Sequence, residues 1–265
     1  MGPLSPALGI LLLGACGPRA LPEVEEVWTE DATGNALAAD YYDAGEGSRL
    51  VVFYAPAWPE SELDRTLWPT TLLKSLQANE VSVLAIDPRG FGASGGQEPE
   101  LSEVQEQPYF NHNLIPWLEW AGDTGHGPLG LGTEGTDGHR AQVYLENTKA
   151  YPDYPPVSAV SVGGSGTSDQ APVQPSNNPE IHQVFHWWDY EPYQGFGEHQ
   201  EALMADPEPT WSFCPNTLNS PGEVLEGYED QVLSYVEEGS SLAQHQADWE
   251  ACLVTFFAET WDPDA

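Results

Sequence analysis

A chain of 265 residues, 40% of them hydrophobic, is long enough to bury the core of one large α/β domain or two small ones. Its 42 Asp and Glu against 7 Lys and Arg give a formal charge of -35 and a pI near 4.1, and such a surface repels phosphate backbones and anionic lipid headgroups, so nucleic acid is not an expected partner. The charge suits a soluble domain facing a salty medium that screens self-repulsion, but an acidic exported protein with no charged partner is the better reading.

At the start of the chain, residues 7–13 (A-L-G-I-L-L-L) form an apolar run too short to span a bilayer as a helix. It ends in Leu13-Gly14-Ala15-Cys16. That ending resembles the lipobox of bacterial lipoproteins, although no Lys or Arg precedes the run. The resemblance implies a signal peptide over residues 1–16, a lipid on Cys16 that anchors the mature chain to a membrane, and, because Gly17 rather than aspartate follows, an outer-membrane or periplasm-facing location, with the cell surface as a further option. Cys214 and Cys252 then remain from a total of 3 cysteines. An oxidising compartment permits a disulfide between them, but two thiols do not prove one. Neither sits in a C-x-x-C pair and no cluster of metal ligands is visible, so neither metal nor cofactor is expected.

Residues 17–35 read as a polar tether, and residues 36–265 as the domain. Residues 36–42 are an early strand, and 50–54 (L-V-V-F-Y) a strand buried on both faces. Leu72, Leu73 and Leu76 recur at helical spacing within 67–77, and 81–86 (V-S-V-L-A-I) is the next buried strand. Strand, helix, strand makes a βαβ unit of a parallel sheet. Residues 97–138 hold Trp117, Trp120 and a Gly-rich stretch, and read as a flap or insertion near the substrate side, or else as a plain surface loop. A helix is expected over 138–149.

Residues 157–169 read V-S-A-V-S-V-G-G-S-G-T-S-D: a buried strand that stops on glycines with one hydroxyl, Ser165, at its tip. Gly163, Gly164 and Gly166 leave room for a sharp turn. Only part of the G-x-S-x-G pattern is present, with Thr167 in the last place. Pro172, Pro175 and Pro179 limit any helix after it to one or two turns. Strands are expected at 181–188, 210–214 and 232–236, with a helix at 222–230 and an amphipathic helix at 248–261 carrying Trp249, Leu253, Phe256 and Phe257 on one side.

The run V-S-V-L-A-I-D-P-R-G-F-G-A-S-G-G (81–96) closely resembles the strand and D-x-R-G-x-G-x-S-x-G loop of α/β-hydrolases. From Leu50 onward the order of elements agrees with that family, of the esterase or dienelactone-hydrolase kind. The resemblance implies an α/β fold, a mostly parallel central sheet flanked by helices. It implies Ser165 as a nucleophile, with the amides of Ala57 and Gly166 as an oxyanion hole. Where the family has His-Gly after the 50–54 strand, this chain has Ala55 and Pro56. The acid is expected in a G-x-x-D turn after the 210–214 strand, and there Asn219 replaces the aspartate. An amide can orient a histidine but cannot stabilise imidazolium as a carboxylate does. Asp189, at the end of the preceding strand, is a second candidate and Glu223 a third. The base is expected in a turn after 232–236, yet residues 237–241 (E-E-G-S-S) hold no histidine, and His245 arrives just before the final helix. His182 and His186 share one face of a strand and are read as packed or solvated. His112, His126, His139 and His199 are read in polar loops without nameable partners.

Two functions therefore remain. One is an exported serine hydrolase acting on a small carboxylic ester or related acyl substrate. The other is a catalytically impaired lipoprotein whose cleft, lined by Trp58, Trp187 and Trp188, binds a ligand by stacking, although a strand-end Trp pair also fits a core.

Overall fold

The computed structural model describes residues 23–54, 64–97, 107–133, 156–163, 181–186, 211–214 and 242–261. In chain order the elements are β1 (Glu25–Glu30), β2 (Ala36–Tyr42), β3 (Arg49–Tyr54), α1 (Thr70–Ala78), β4 (Val81–Ile86), α2 (Gln107–Asp123), β5 (Leu129–Thr133), β6 (Val157–Gly163), β7 (His182–His186), β8 (Trp211–Phe213) and α3 (Leu242–Thr255). A π-type turn, Phe256–Thr260, continues α3. The strands form one sheet in the order β1-β2-β4-β3-β5-β6-β7-β8. β2 runs antiparallel to both neighbours, and from β4 to β8 every pair is parallel.

Alternation along the strands divides the core into two layers. Leu50, Val52 and Tyr54 of β3 face one way, with Leu84 and Ile86 of β4, and meet Leu114, Trp117 and Leu118 of α2. Val51 and Phe53 face the other way and meet Leu72 and Leu76 of α1 with Trp249, Leu253 and Phe257 of α3. Helices thus cover both faces, which is why β3 from Leu50 on and β4, apart from Ser82, are apolar on both faces rather than alternating. Each fully buried aliphatic or aromatic side chain contributes roughly 1.5–3 kcal/mol before the entropy of ordering is set against it.

Three sequence expectations need correction. Part of the presumed tether, E-E-V-W-T-E, is β1, paired residue for residue with β2 from Glu25↔Tyr41 to Glu30↔Ala36. Only Val27 packs on the core while Trp28 is 47% exposed, so backbone pairing rather than apolar burial makes this strand. The presumed flap contains α2 and a central strand. Asn111, His112, Asn113 and Pro116 are poor helix residues, and burial of Leu114, Trp117, Leu118 and Ala121 overrides them. In β5 (L-G-L-G-T) the glycines look like a loop, but a Cβ on Gly132 would lie 2.5 Å from Phe53 Cδ1, and one on Gly130 2.9 Å from Val51 Cγ2. Neighbouring side chains fill that face, so the strand must be bare there. Finally, α3 begins at Leu242, which puts His245 in its first turn and not before it.

The 138–149 and 222–230 helices and the 232–236 strand lie outside the described residues. Cys214, directly after β8, is disulfide-bonded to Cys252 of α3.

The turn joining β1 to β2 is organised by Asp31, whose carboxylate accepts from the amide and hydroxyl of Thr33 (2.8 and 2.7 Å) and from the amide and side chain of Asn35 (2.9 and 3.0 Å). Burial alone would raise its pKa, but these hydrogen bonds outweigh it and hold the value at about 2, against an ordinary 3.8. A depressed folded pKa means stability that is present above the ordinary value and lost as pH falls through the folded one. The thermal-midpoint advantage of the native chain over Asp31→Ala should therefore shrink as pH is lowered from 3.8 toward about 2. A constant gap across that window would contradict this.

Candidate active site

Parallel pairing brings the C-terminal ends of six strands to one edge. Tyr54 of β3 lies beside Ile86 of β4 and Thr133 of β5, Gly163 of β6 beside His186 of β7, and Phe185 beside Phe213 of β8. The chain leaves β3 toward β4 on one side and returns as β5 on the other, so the sheet has its switch point between β3 and β5. Open α/β sheets bind ligands in the crevice at such ends.

The predicted site residues follow these ends closely. Ala57 and Trp58 come shortly after Tyr54, and Ser165 and Gly166 two and three residues after Gly163. Trp187, Trp188 and Asp189 come directly after His186, and Asn219 six residues after Phe213. All of these, with Glu223 and Cys16, lie outside the described residues.

The start of α3, which carries position 245, lies toward the same edge; the side chain of His245 is outside the described residues. Arg49, the first residue of β3, donates to the carbonyl oxygens of Ala258 (2.6 Å) and Trp261, and Trp261 Nε1 donates to Ser158 Oγ near the start of β6 (2.9 Å). The far end of α3 is therefore fixed at the strand starts. Cys252 meets Cys214 at the end of β8, so α3 rises past the sheet and its first turn stands about 10 Å beyond Cys252 along the helix axis.

Beside the crevice, the 87–96 loop is a rigid wall. Asp87, 1% exposed, accepts the amides of Arg65 (2.7 Å) and Ala93 (2.8 Å) through its two oxygens, with Arg65 Nε 3.6 Å from Oδ2. Burial raises the Asp87 pKa in spite of both amides and the guanidinium charge, so the carboxylate serves as a two-oxygen acceptor rather than as a stabilising charge. Ser94 Oγ donates to Asp87 O (2.8 Å) and accepts from Ala38 N (2.9 Å). From α2, Asn113 Oδ1 accepts the Arg89 amide and Tyr109 Oη donates to Arg89 O (2.9 Å), with the Arg89 guanidinium over the Tyr109 ring. Sequence reading missed Asn113 and Tyr109 because they sit in the stretch read as a flap. Arg65, which also pairs with Asp40 (3.2 Å) and Glu26 (2.6 Å), carried no motif signal at all. Under the proposed nucleophile turn, Thr133 Oγ1 at the end of β5 donates to Ser161 O (3.0 Å), tying the last residues of β6 to its neighbour.

Other histidines are sorted by placement. His112 is exposed on α2, not in a loop. His126 does have partners: its Nε2 is 3.0 Å from Tyr41 Oη and its ring stacks on Trp120. It precedes β5, so it stands at the opposite edge of the sheet from Gly163, where β6 ends. His182 is half-buried at the start of β7. His139 and His199 lie outside the described residues, as does the side chain of His186. Among the described residues no group of three or more His, Cys, Asp or Glu could hold a metal, and no helix is long and apolar enough to cross a membrane.

No family model matches the chain, and no curated relative matches it in sequence. Solved structures do match. An α/β serine hydrolase without lid from Xanthomonas campestris superposes with a TM-score of 0.56 at 13% identity, over 92% of this chain and 97% of that one. An esterase from Pyrococcus furiosus gives 0.54 at 15%, over 90% and 93%. A dienelactone hydrolase from Anabaena variabilis gives 0.53 at 16%, over 89% and 98%. At these identities the likeness establishes architecture: the chain has the α/β-hydrolase fold.

Proposed function

We propose that the chain is an exported serine hydrolase that cleaves a carboxylic ester or related acyl substrate with Ser165 as nucleophile. The observation that carries this reading is the position of β6, a central parallel strand ending at Gly163 on the crevice edge, two residues before the serine. Ser165 Oγ bonds to the acyl carbon while its proton passes to His245, the base assigned to the first turn of α3. The amides of Ala57 and Gly166 hold the oxyanion; the alcohol leaves with the proton from His245, and water then releases the acid by the same steps in reverse order. Asp189 or Asn219 orients the imidazole. Trp58, Trp187 and Trp188 supply apolar walls for the acyl or alcohol group.

The Cys214–Cys252 disulfide supports an oxidising destination, in keeping with a lipidated Cys16 and an outer-membrane or cell-surface location. The amide at position 219, where the family places its acid, favours a second reading, a catalytically impaired lipoprotein that binds in the same crevice. A panel of p-nitrophenyl esters of increasing acyl length separates the two. The hydrolase turns over at least the short esters, whereas folded protein with no turnover on any of them supports the binding protein.

A further inference from the structure

β1 stands at the end of the sheet order, so among the described residues no strand lies along its outer edge. The hydrogen bonds of β2 decide which residues point there. Ala36 O accepts the Gly95 amide, Ala38 O accepts the Asp87 amide, and Ala38 N donates to Ser94 Oγ. The backbone groups of Ala36 and Ala38 therefore face away from β1, and those of Leu37, Ala39 and Tyr41 face it. Their opposite numbers Thr29, Val27 and Glu25 must point inward to β2, because directly opposed residues of an antiparallel pair share one bonding state. Glu26, Trp28 and Glu30 then turn their amides and carbonyls outward, and among the described residues no hydrogen bond reaches those groups.

The side chains on this edge combine charge with apolar surface. Glu23, Glu25, Glu26 and Glu30 fall within residues 23–30, and no Lys or Arg does. The neighbouring Arg65 is already shared among Glu26, Asp40 and Asp87. Among the described residues the exposed large hydrophobic side chains are Val24 and Trp28, at 39% and 47%. By period-two alternation they share a face with Glu26 and Glu30. Charge by itself guards an open edge against unwanted pairing. A half-exposed tryptophan midway along it does the reverse, since it supplies an apolar anchor.

A second copy of the chain does not fit this edge. Antiparallel pairing of two β1 strands over all three outward residues sets Trp28 against Trp28, and on either side of it Glu26 against Glu30. Like charges directly opposite each other destabilise a strand pair. With 42 acidic residues against 7 basic, the whole chain also repels its own kind and attracts cations.

We infer that the outer edge of β1 is a docking site for an extended basic segment of another protein, which adds to the sheet as a further antiparallel strand. The main chain of that segment bonds the outward groups of Glu26, Trp28 and Glu30. An apolar residue packs on Trp28, and lysine or arginine stands opposite the glutamates. Backbone pairing supplies affinity, and the alternation of basic and apolar residues supplies selectivity.

The probe is a capped, fluorescently labelled six-residue peptide written against β1 in antiparallel register. It carries lysine opposite Glu25, Glu26 and Glu30, valine opposite Val27 and Trp28, and threonine opposite Thr29. Fluorescence anisotropy with the native chain should show saturable one-to-one binding that weakens as salt is raised. Trp28→Ala, a change at an exposed side chain, should weaken it roughly tenfold. N-methylation of the peptide opposite Glu26, Trp28 and Glu30 should weaken it at least about tenfold, whereas N-methylation opposite Glu25, Val27 and Thr29 should leave it near native. No saturable binding would overturn the inference. So would equal loss from the two N-methylation patterns, which would mean charge attraction without strand pairing. A native dimer in sedimentation that Trp28→Ala dissolves would also overturn it, by giving the edge to a second copy.

Discussion

Ser165→Ala should lower kcat for a short p-nitrophenyl ester by roughly 10⁴-fold or more while leaving the thermal midpoint close to native. The substitution removes one hydroxyl two residues beyond β6 and leaves untouched what holds that strand: pairing with β5 and β7, and the Thr133 to Ser161 bond. The nucleophile alone is therefore lost. What persists should be the small rate from an oxyanion site that binds but has nothing to attack with, seen as a weak residual activity insensitive to His245→Ala. Equal rates for Ser165→Ala and native protein would remove Ser165 from the mechanism.

The second large effect is on stability, at Gly92. Its φ is 54°, a left-handed conformation that costs alanine about 1–2 kcal/mol. The greater cost is steric: a Cβ there would lie 2.3 Å from Asp87 Oδ2 and 2.4 Å from its Cγ. Asp87 cannot yield cheaply, because moving it strands the amides of Arg65 and Ala93 and withdraws a carboxylate from a guanidinium whose buried Nη1 has no acceptor among the described residues. Each stranded buried group costs about 1–3 kcal/mol. Gly92→Ala should therefore destabilise by about 4 kcal/mol, a fall of roughly 10 °C in midpoint for a chain of this size. Gly34→Ala is the control: its φ is 83° but nothing lies within 4 Å of the added Cβ, so it should cost only about 1 kcal/mol. Equal losses in the two variants would show that the Asp87 clash is not the cause.

Legibility in the sequence followed the balance between local pattern and tertiary demand. β2 and β4 match their expected bounds residue for residue; for β4 (V-S-V-L-A-I) the β-branched, largely apolar run leaves few alternatives, whereas β2 (A-L-A-A-D-Y-Y) has no β-branched residue and carries Asp40. The expected strand over 157–162 is β6, and position 165 lies two residues beyond its end, outside the described residues. Elements whose residues are dictated by neighbours could not be read that way. β5 is glycine-rich because Phe53 and Val51 occupy its space, and β1 is acidic because it stands at the end of the sheet order. α2 keeps Pro116 and two asparagines because its buried face outweighs propensity, and one of them, Asn113, props the 87–96 loop. The disulfide was open in the sequence since only the packing of α3 beside β8 brings Cys252 to Cys214. The catalytic assignment stands on the placement of strand and helix ends, with Ser165 and Asp189 beyond the described residues.

The most direct measurement is fluorophosphonate labelling of the folded native chain, followed by peptide mass mapping. An activated serine should give a single adduct on the peptide containing Ser165, lost in Ser165→Ala and greatly slowed in His245→Ala. Folded protein that takes no label, or takes it at another residue, would contradict the hydrolase assignment.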